Sequence, residues 1–86
     1  MTKRIDYGTA CKIGRAVFGH GVAPVKTHYN FVILNGSFRL QIVRECVVPN
    51  QVYCRMEFFS GMIGQSLGYF YYDVLLGRIS SLHKED

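Results

Sequence analysis

Residues 28–44 contain the feature that most constrains this chain, a hairpin pattern centred on the dipeptide Asn35-Gly36. Asn-Gly readily takes the positive φ angles of a type I′ turn, and apolar-rich runs lie on both sides of it. A two-residue turn there sets the strand pairing, and one face then collects six apolar or aromatic side chains. These six form the pairs Ile33 with Phe38, Phe31 with Leu40, and Tyr29 with Ile42. We therefore expect this face to be buried and the opposite face to be open.

A helix is expected before the hairpin. Asp6 or Thr9 can cap its first turn, because a short polar side chain there accepts hydrogen bonds from unpaired backbone N–H groups. Apolar residues then recur at helical spacing to about Phe18, and Gly19 ends the helix. Gly14 lies inside the apolar stripe, where glycine costs about 1 kcal/mol relative to alanine. Close approach of the helix to the sheet is the expected reason for this glycine.

A third strand is expected at Val52–Phe59, after a turn that contains Pro49 and Asn50. The length of this turn decides which side chains are buried. A two-residue turn would bury Arg55 and Glu57, which is costly, so we expect a three-residue turn or an equivalent bulge. The resulting pairs are Val48 with Val52, Cys46 with Cys54, Arg44 with Met56, and Ile42 with Phe58. The side chains expected on the open face are Tyr53, Arg55, Glu57 and Phe59.

The chain from Ser66 to Leu82 fits two kinds of element. As a helix, it presents one long apolar stripe. As a strand, Tyr69–Leu76 suits its aromatic residues but leaves Arg78–Leu82 unexplained. Length and period favour the helix. The sequence therefore predicts a single α+β domain over residues 1–86, with an N-terminal helix, a three-stranded antiparallel meander and a C-terminal helix (α-β-β-β-α), and with both helices on one sheet face.

Charge is distributed unevenly along the chain. Residues 1–44 contain seven lysine and arginine residues and one carboxylate, a formal charge of +6, whereas residues 45–86 contain three such cations and five carboxylates, a formal charge of −2. A basic side can meet nucleic acid or an acidic protein, or can simply keep the domain soluble.

Several features bear on the compartment. No apolar run approaches the roughly 20 residues of a membrane span. The first residues lack the apolar segment of a signal peptide. Three cysteines at unmatched spacing do not form the disulfide framework of a secreted domain. We therefore expect a cytoplasmic protein with reduced thiols and no membrane partner.

Patterns typical of catalysis or metal binding are weak. The cysteines and histidines lack the short ligand spacings of a zinc site, and Cys46 and Cys54 are expected as buried thiols. None of His20, His28 and His83 has an evident carboxylate partner, so a nucleophile activated by histidine is not indicated. We therefore expect no enzyme activity, no catalytic residue, no metal and no cofactor.

The open sheet face is the expected functional site, because it is less polar than a solvent-exposed antiparallel face needs to be. A small domain rich in tyrosine and phenylalanine suits a stoichiometric protein binder. We predict a non-enzymatic protein that docks onto a macromolecular protein partner. Two further possibilities stay open at this point: docking inhibits that partner, and the chain forms a homodimer through the same face. The predicted partner-binding residues are Val32, Leu34, Arg39, Gln41, Val43, Tyr53, Arg55 and Phe59.

The alternative is a nucleic-acid-binding module for RNA or DNA. Aromatic residues interleaved with cations on an open sheet are typical of proteins that bind single strands. Glu45 and Glu57 on the same face weigh against this function. The predicted residues for the alternative are Lys12, Arg15, His28, Arg39, Tyr53 and Arg55. An enzyme or a protein that sequesters a small ligand ranks third.

Overall fold

A computed structural model describes residues 3–48 and 50–85, which form one α-helix packed on one antiparallel sheet. The elements in chain order are β1 (Lys3–Arg4), α1 (Tyr7–Phe18), β2 (Val25–Lys26), β3 (Asn30–Asn35), β4 (Phe38–Val48), β5 (Gln51–Ser60), β6 (Ile63–Asp73) and β7 (Arg78–Lys84). Strands β2 to β7 lie side by side in sequence order, and β1 pairs with β4 beyond the end of β3. The sheet is therefore a six-stranded meander with one short added strand.

This architecture shows that the predicted α-β-β-β-α fold is wrong. Within the described residues there is no C-terminal helix, because the chain after β5 forms the hairpin of β6 and β7. Strand alternation accounts for the same apolar residues that suggested a helix: Phe70 and Tyr72 are buried, whereas Tyr69 and Tyr71 are only partly covered. The protein is mainly antiparallel sheet, and an α+β description fits it only loosely.

The turn between β6 and β7 explains why the tail is not helical. The Asp73 carboxylate accepts hydrogen bonds from the backbone N–H groups of Leu75 and Leu76 at 2.9 and 2.8 Å. The backbone N–H of Gly77 donates to the Asp73 carbonyl oxygen at 2.8 Å. Aspartate followed closely by glycine is ordinary turn chemistry, but the three apolar residues between them conceal it. The aromatic residues of β6 also favour a strand over a helix.

The N-terminal helix is confirmed: of the two predicted caps Asp6 is the one used, and the helix ends at Phe18 as predicted. The Asp6 carboxylate caps α1 by accepting a hydrogen bond from the backbone N–H of Thr9 at 2.7 Å, which lowers the pKa of Asp6. Gly19 ends the helix. A Cβ atom on Gly14 would lie 2.5 Å from Cδ1 of Ile33, so this glycine does allow α1 to approach the sheet closely. None of the described helices is long and apolar enough to cross a membrane.

The hairpin of β3 and β4 turns one residue later than predicted. Its central residues are Gly36 and Ser37, and Asn35 pairs with Phe38. Only Gly36 has a positive φ angle (62°), as in a type II′ turn. The observed pairs are Ile33 with Leu40 and Phe31 with Ile42, and all four of these side chains are buried as predicted. Tyr29 and Phe38, which were expected beside them, are exposed.

The pairing of β4 with β5 also differs from the prediction, although the faces agree. Cys54 lies opposite Ile42, Met56 opposite Leu40, and Cys46 opposite Val52, so the predicted Cys46–Cys54 pair does not form. Two irregularities in β4, between Ile42 and Cys46 and between Cys46 and Val48, shift the register. Val52 and Cys54 are nonetheless completely buried, as predicted. Pro49, which was assigned to the turn, lies outside the described residues.

The two faces of the sheet differ because α1 packs on only one of them. We call that side the inner face and the opposite side the outer face. The buried core joins α1 to the inner face through Ile5, Ala10, Ile13, Phe31, Ile33, Leu40, Ile42, Val52, Cys54, Phe70 and Tyr72. No described helix covers the outer face, so this surface is the open one that the hairpin pattern predicted.

Substitution of Gly68 tests the pairing of β6 with β7. Gly68 has a φ of +136°, and a Cβ atom there would collide with the carbonyl oxygen of His83 on β7. We expect Gly68→Ala to lower the free energy of unfolding by about 2–3 kcal/mol, because backbone strain and backbone overlap act together. Urea denaturation measures this change.

The matched control is Gly61→Ala in the turn between β5 and β6. Gly61 also has a positive φ (+62°) but has open space around its Cα atom, so only the left-handed strain of about 1 kcal/mol applies. In the interior of a helix, replacing glycine by alanine stabilises a protein. A stabilising effect of Gly68→Ala would therefore contradict the strand assignment.

Candidate functional site on the outer sheet face

The outer face brings together the residues that were predicted to bind a partner. Strand register places Val32, Gln41 and Arg55 in one row across β3, β4 and β5, and this row continues to Tyr69 on β6. The other predicted residues lie on the same face in neighbouring rows: Leu34, Arg39, Val43, Tyr53 and Phe59. Whether they bind a partner stays a prediction, but their shared surface is a property of the fold.

A group of aromatic side chains from β6 and β7 extends this surface. The ring centroids of Tyr53, Tyr69 and Tyr71 are separated by 5.5 to 6.2 Å, and the ring of His83 stacks on Tyr69 at 4.6 Å. We call these four residues the tyrosine cluster. Tyr71 and His83 were not among the predicted site residues, because the tail was predicted to be a helix. The period-two alternation of residues 69–72 was the pattern that could have revealed them.

The environment of Tyr53 favours its neutral form. Burial raises the pKa of the Tyr53 hydroxyl, although the nearby Arg55 acts in the opposite direction. A tyrosine with a raised pKa keeps its proton at neutral pH and can donate a hydrogen bond. The tyrosine cluster therefore offers packed ring surface together with a hydroxyl donor, a combination that is common in protein interfaces.

Arg39 is largely neutralised by its neighbours. Its Nε and Nη2 atoms donate hydrogen bonds to Oε1 of Glu57 at 3.2 and 2.9 Å, and its guanidinium lies 4.7 Å from the ring centroid of Phe59. Glu57 was predicted to lie near Arg55 on the outer face, but its carboxylate pairs with Arg39. Arg39 is thus part of the surface's framework, with little charge left for a partner.

Arg55 is an exposed cation on the outer face. Its Nε atom donates a hydrogen bond to Oγ of Ser66 at 3.3 Å, which holds the guanidinium over β6. Among residues 3–48 and 50–85 it takes part in no ion pair. Its remaining N–H groups can therefore bind a carboxylate or a phosphate from another molecule. Gln41 and Tyr69 flank it in the same row of the sheet.

The residues predicted for nucleic-acid binding do not share one surface. Lys12 and Arg15 lie on exposed positions of α1, which packs on the inner face. Arg39, Tyr53 and Arg55 lie on the opposite side of the sheet. His28 lies in the bend before β3, where its ring contacts that of Tyr29 at 4.4 Å. Because the sheet separates these groups, one nucleic-acid strand could not contact all six in a single groove.

The described residues show little that resembles a metal or thiol site. Within 3–48 and 50–85, no group of three histidine, cysteine, aspartate or glutamate side chains is arranged to hold a metal ion. Burial strongly raises the pKa of the Cys54 thiol, so this thiol stays protonated and unreactive. The side chain of Cys46 is not among those described. The predictions of no enzyme activity and no cofactor stay untested.

Comparisons with known proteins found no matching family model, no matching curated protein and no matching solved structure.

The burial of Cys54 makes a direct prediction for thiol labelling. Cys54 is completely buried, whereas Cys11 on α1 is partly exposed. We expect iodoacetamide to alkylate Cys11 in the native protein and to leave Cys54 unmodified until urea unfolds the chain. Peptide mapping by mass spectrometry distinguishes the two sites. Rapid native labelling of Cys54 would show that the core around Ile42 and Cys54 is not packed as described.

Proposed function

We propose that this chain is a non-enzymatic binding protein whose outer sheet face docks onto a protein partner. The observation that carries the proposal is the tyrosine cluster packed beside the exposed Arg55 on an open sheet face. Tyrosine and arginine are the residues most enriched among those that dominate protein–protein binding energy.

The arrangement of the surface supports a macromolecular partner. Val32, Val43 and Phe59 are only half-buried, and Leu34 is exposed, so apolar area alternates with polar groups across several strands. The tyrosine rings are already held by one another, which lowers the entropy that binding must overcome. A broad, mixed and partly preorganised face suits a partner of comparable size.

A protein partner is favoured over nucleic acid by the charges on this face. Glu57 neutralises Arg39, and the cations of α1 lie on the other side of the sheet. Arg55 is then the principal cation near the tyrosine cluster, whereas nucleic-acid binding usually depends on several phosphate contacts.

The free thiols of Cys11 and Cys54 support a reducing, cytoplasmic setting for the protein.

Site-specific photo-crosslinking tests the proposal. A benzophenone amino acid at Gln41 would report on the outer face, and the same group at Lys12 would report on the exposed side of α1. We expect a discrete protein adduct from position 41 in the cells that produce the protein, and none from position 12. We expect Arg55→Glu to reduce the adduct by about tenfold, the effect of removing one dominant interface residue.

Each other outcome identifies a different surface or ligand. An adduct at position 41 that nucleases destroy would support the nucleic-acid alternative. An adduct from position 12 alone would move the interface to α1. No adduct at position 41 would contradict docking through the outer face.

Self-association through the outer face is tested separately. The simplest partner for the isolated chain is a second copy, and we expect light scattering to give about twice the chain mass of 9.8 kDa. Val43→Lys and Phe59→Lys place a cation on the outer face, so each should restore a soluble 9.8 kDa monomer. A dimer that survives both substitutions would exclude this face as the homodimer interface. A monomeric wild-type chain would exclude the homodimer and leave the face for another protein.

A further inference from the structure

The two edges of the sheet differ in how much strand they expose. At one edge the outermost strand, β2, has only two residues. At the other edge lies β7, which has seven residues, and among the described strands it pairs with β6 alone. All of its residues are exposed except Ser81, which is half-buried. Short edge strands prevent pairing with other chains, so β7 is the edge at which another chain can add.

The hydrogen bonds between β6 and β7 show which backbone groups stay unpaired. The backbone N–H of Glu85 donates to the carbonyl oxygen of Leu67 on β6 at 3.1 Å. In an antiparallel pair, residues that exchange hydrogen bonds alternate with residues that do not. Leu82 and Lys84 occupy the alternate positions of this ladder, so their N–H and C=O groups point away from β6. We call this side of β7 the free edge.

A register shift at Ser80 sets the length of the free edge. Ile79 lies before the shift and Ser81 after it, so the regular ladder with β6 covers residues 81–85. Within this stretch the free edge presents two N–H donors and two C=O acceptors. No described strand takes up these four groups.

This arrangement of donors and acceptors selects an extended polypeptide. Leu82 and Lys84 are two residues apart in a strand, which separates their bonding groups by about 6.7 Å. A second strand repeats its own donors and acceptors at the same interval, and a helix does not. Strand addition to a sheet edge is a common mode of peptide recognition, in which the main chain supplies affinity and alternate side chains supply specificity.

The side chains of β7 set the pattern that an added strand should have. Leu82 pairs with Phe70 and therefore faces the inner side, where it is 61% exposed. A residue directly opposite Leu82 on an added strand has its side chain on that same side, so an apolar residue there would cover Leu82. Ser81 and His83 face the outer side, which favours polar residues at the alternate positions.

A second copy of the chain fits the free edge poorly. In a two-fold antiparallel pair of β7 strands, a centre at Lys84 places two ammonium groups opposite each other, which is unfavourable. A centre at Leu82 brings Lys84 to Ser80, where the register shifts. A centre at His83 avoids both problems but joins two chains of net charge +4, which repel each other.

We propose that the free edge of β7 accepts an extended segment of a different protein, which adds antiparallel and bonds to the backbone of Leu82 and Lys84. The segment has an apolar residue beside Leu82 and polar residues beside Ser81 and His83. Antiparallel addition continues the existing sheet and is the more stable pairing per residue. The proposal concerns the backbone of the edge strand and holds whether or not the outer face docks onto a partner.

A synthetic strand tests the proposal on the full chain. The probe is an acetylated, amidated heptapeptide with valine at its third and fifth positions and serine or threonine elsewhere. Its valines can lie opposite Leu82 and Lys84 with their side chains on the inner side. We expect saturable shifts of the Leu82 and Lys84 amide resonances in an NMR titration with this peptide.

N-methylation of the peptide tests the hydrogen bonds without altering the protein. In the proposed arrangement the valine N–H groups bond to β7, whereas the N–H groups of the neighbouring threonines face solvent. We expect methylation of the two valine nitrogens to weaken binding by at least about tenfold. Methylation of two threonine nitrogens, which leaves the side chains and composition the same, should leave binding nearly unchanged.

A matched pair of substitutions at Leu82 locates the site. Proline at an edge strand is tolerated where the replaced N–H faces away from the sheet, so Leu82→Pro should keep the fold and lose one donor to the peptide. We expect Leu82→Pro to weaken binding by at least about tenfold. Leu82→Ala removes side-chain contact alone and should weaken binding about threefold. Circular dichroism verifies the fold of both variants, and the methylated peptides provide the same test if Leu82→Pro does not fold.

Amide hydrogen exchange tests the free edge in the isolated chain. We expect the amides of Leu82 and Lys84 to exchange at least about tenfold faster than those of Ser81 and His83, which bond to β6. Saturation with the heptapeptide should slow the exchange of the Leu82 and Lys84 amides.

Four outcomes would overturn the proposal. Slow exchange of the Leu82 and Lys84 amides in the isolated monomer would show that the edge is already covered. An absence of saturable shifts at these amides would show that the edge does not accept a strand. Equal weakening by the two kinds of methylated peptide would exclude the antiparallel hydrogen bonds. A wild-type dimer that Leu82→Pro dissociates would show that a second copy of the chain occupies the edge.

Discussion

The contact of α1 with the sheet at Gly14 and Ile33 is the interaction on which the rest of the structure depends. Side-chain alternation makes one face of the six-stranded meander apolar, and that face is stable only when something apolar covers it. The absence of a side chain on Gly14 lets the helix backbone approach Ile33, and Ala10 and Ile13 then become completely buried. Burial of this stripe is what makes one face a core and leaves the other face open.

Strand β6 connects that core to the outer face. Because side chains alternate along a strand, Phe70 and Tyr72 enter the core while Tyr69 and Tyr71 join the outer face. Its pairing with β5 is irregular at Leu67, between the pairs of Gly68 with Met56 and of Ser66 with Glu57.

The sequence indicated much of the outer face but little of its detail. The alternation of residues 32–43 and 53–59 placed all eight predicted partner-binding residues on one side, and the structure agrees with that placement. It could not assign ion pairs, since Arg39 reaches Glu57 only in the observed register. The sequence-based prediction also left Tyr71 and His83 out of this surface, because it assigned residues 66–82 to a helix and not to strands of the sheet.

The sequence by itself determined the local features of the protein. It determined a capped helix that ends at Phe18, the close approach at Gly14, and the faces of β3, β4 and β5, because capping, glycine conformation and period-two alternation act over a few residues. The choice of Asp6 over Thr9 as the cap came from the structure. Only the tertiary structure decided the hairpin register, the shifts in β4, and the conversion of the tail into β6 and β7. These three features depend on strand pairing across the sheet, which acts between residues far apart in sequence. An apolar stripe alone does not distinguish a helix from a strand that buries one face and packs aromatic side chains on the other.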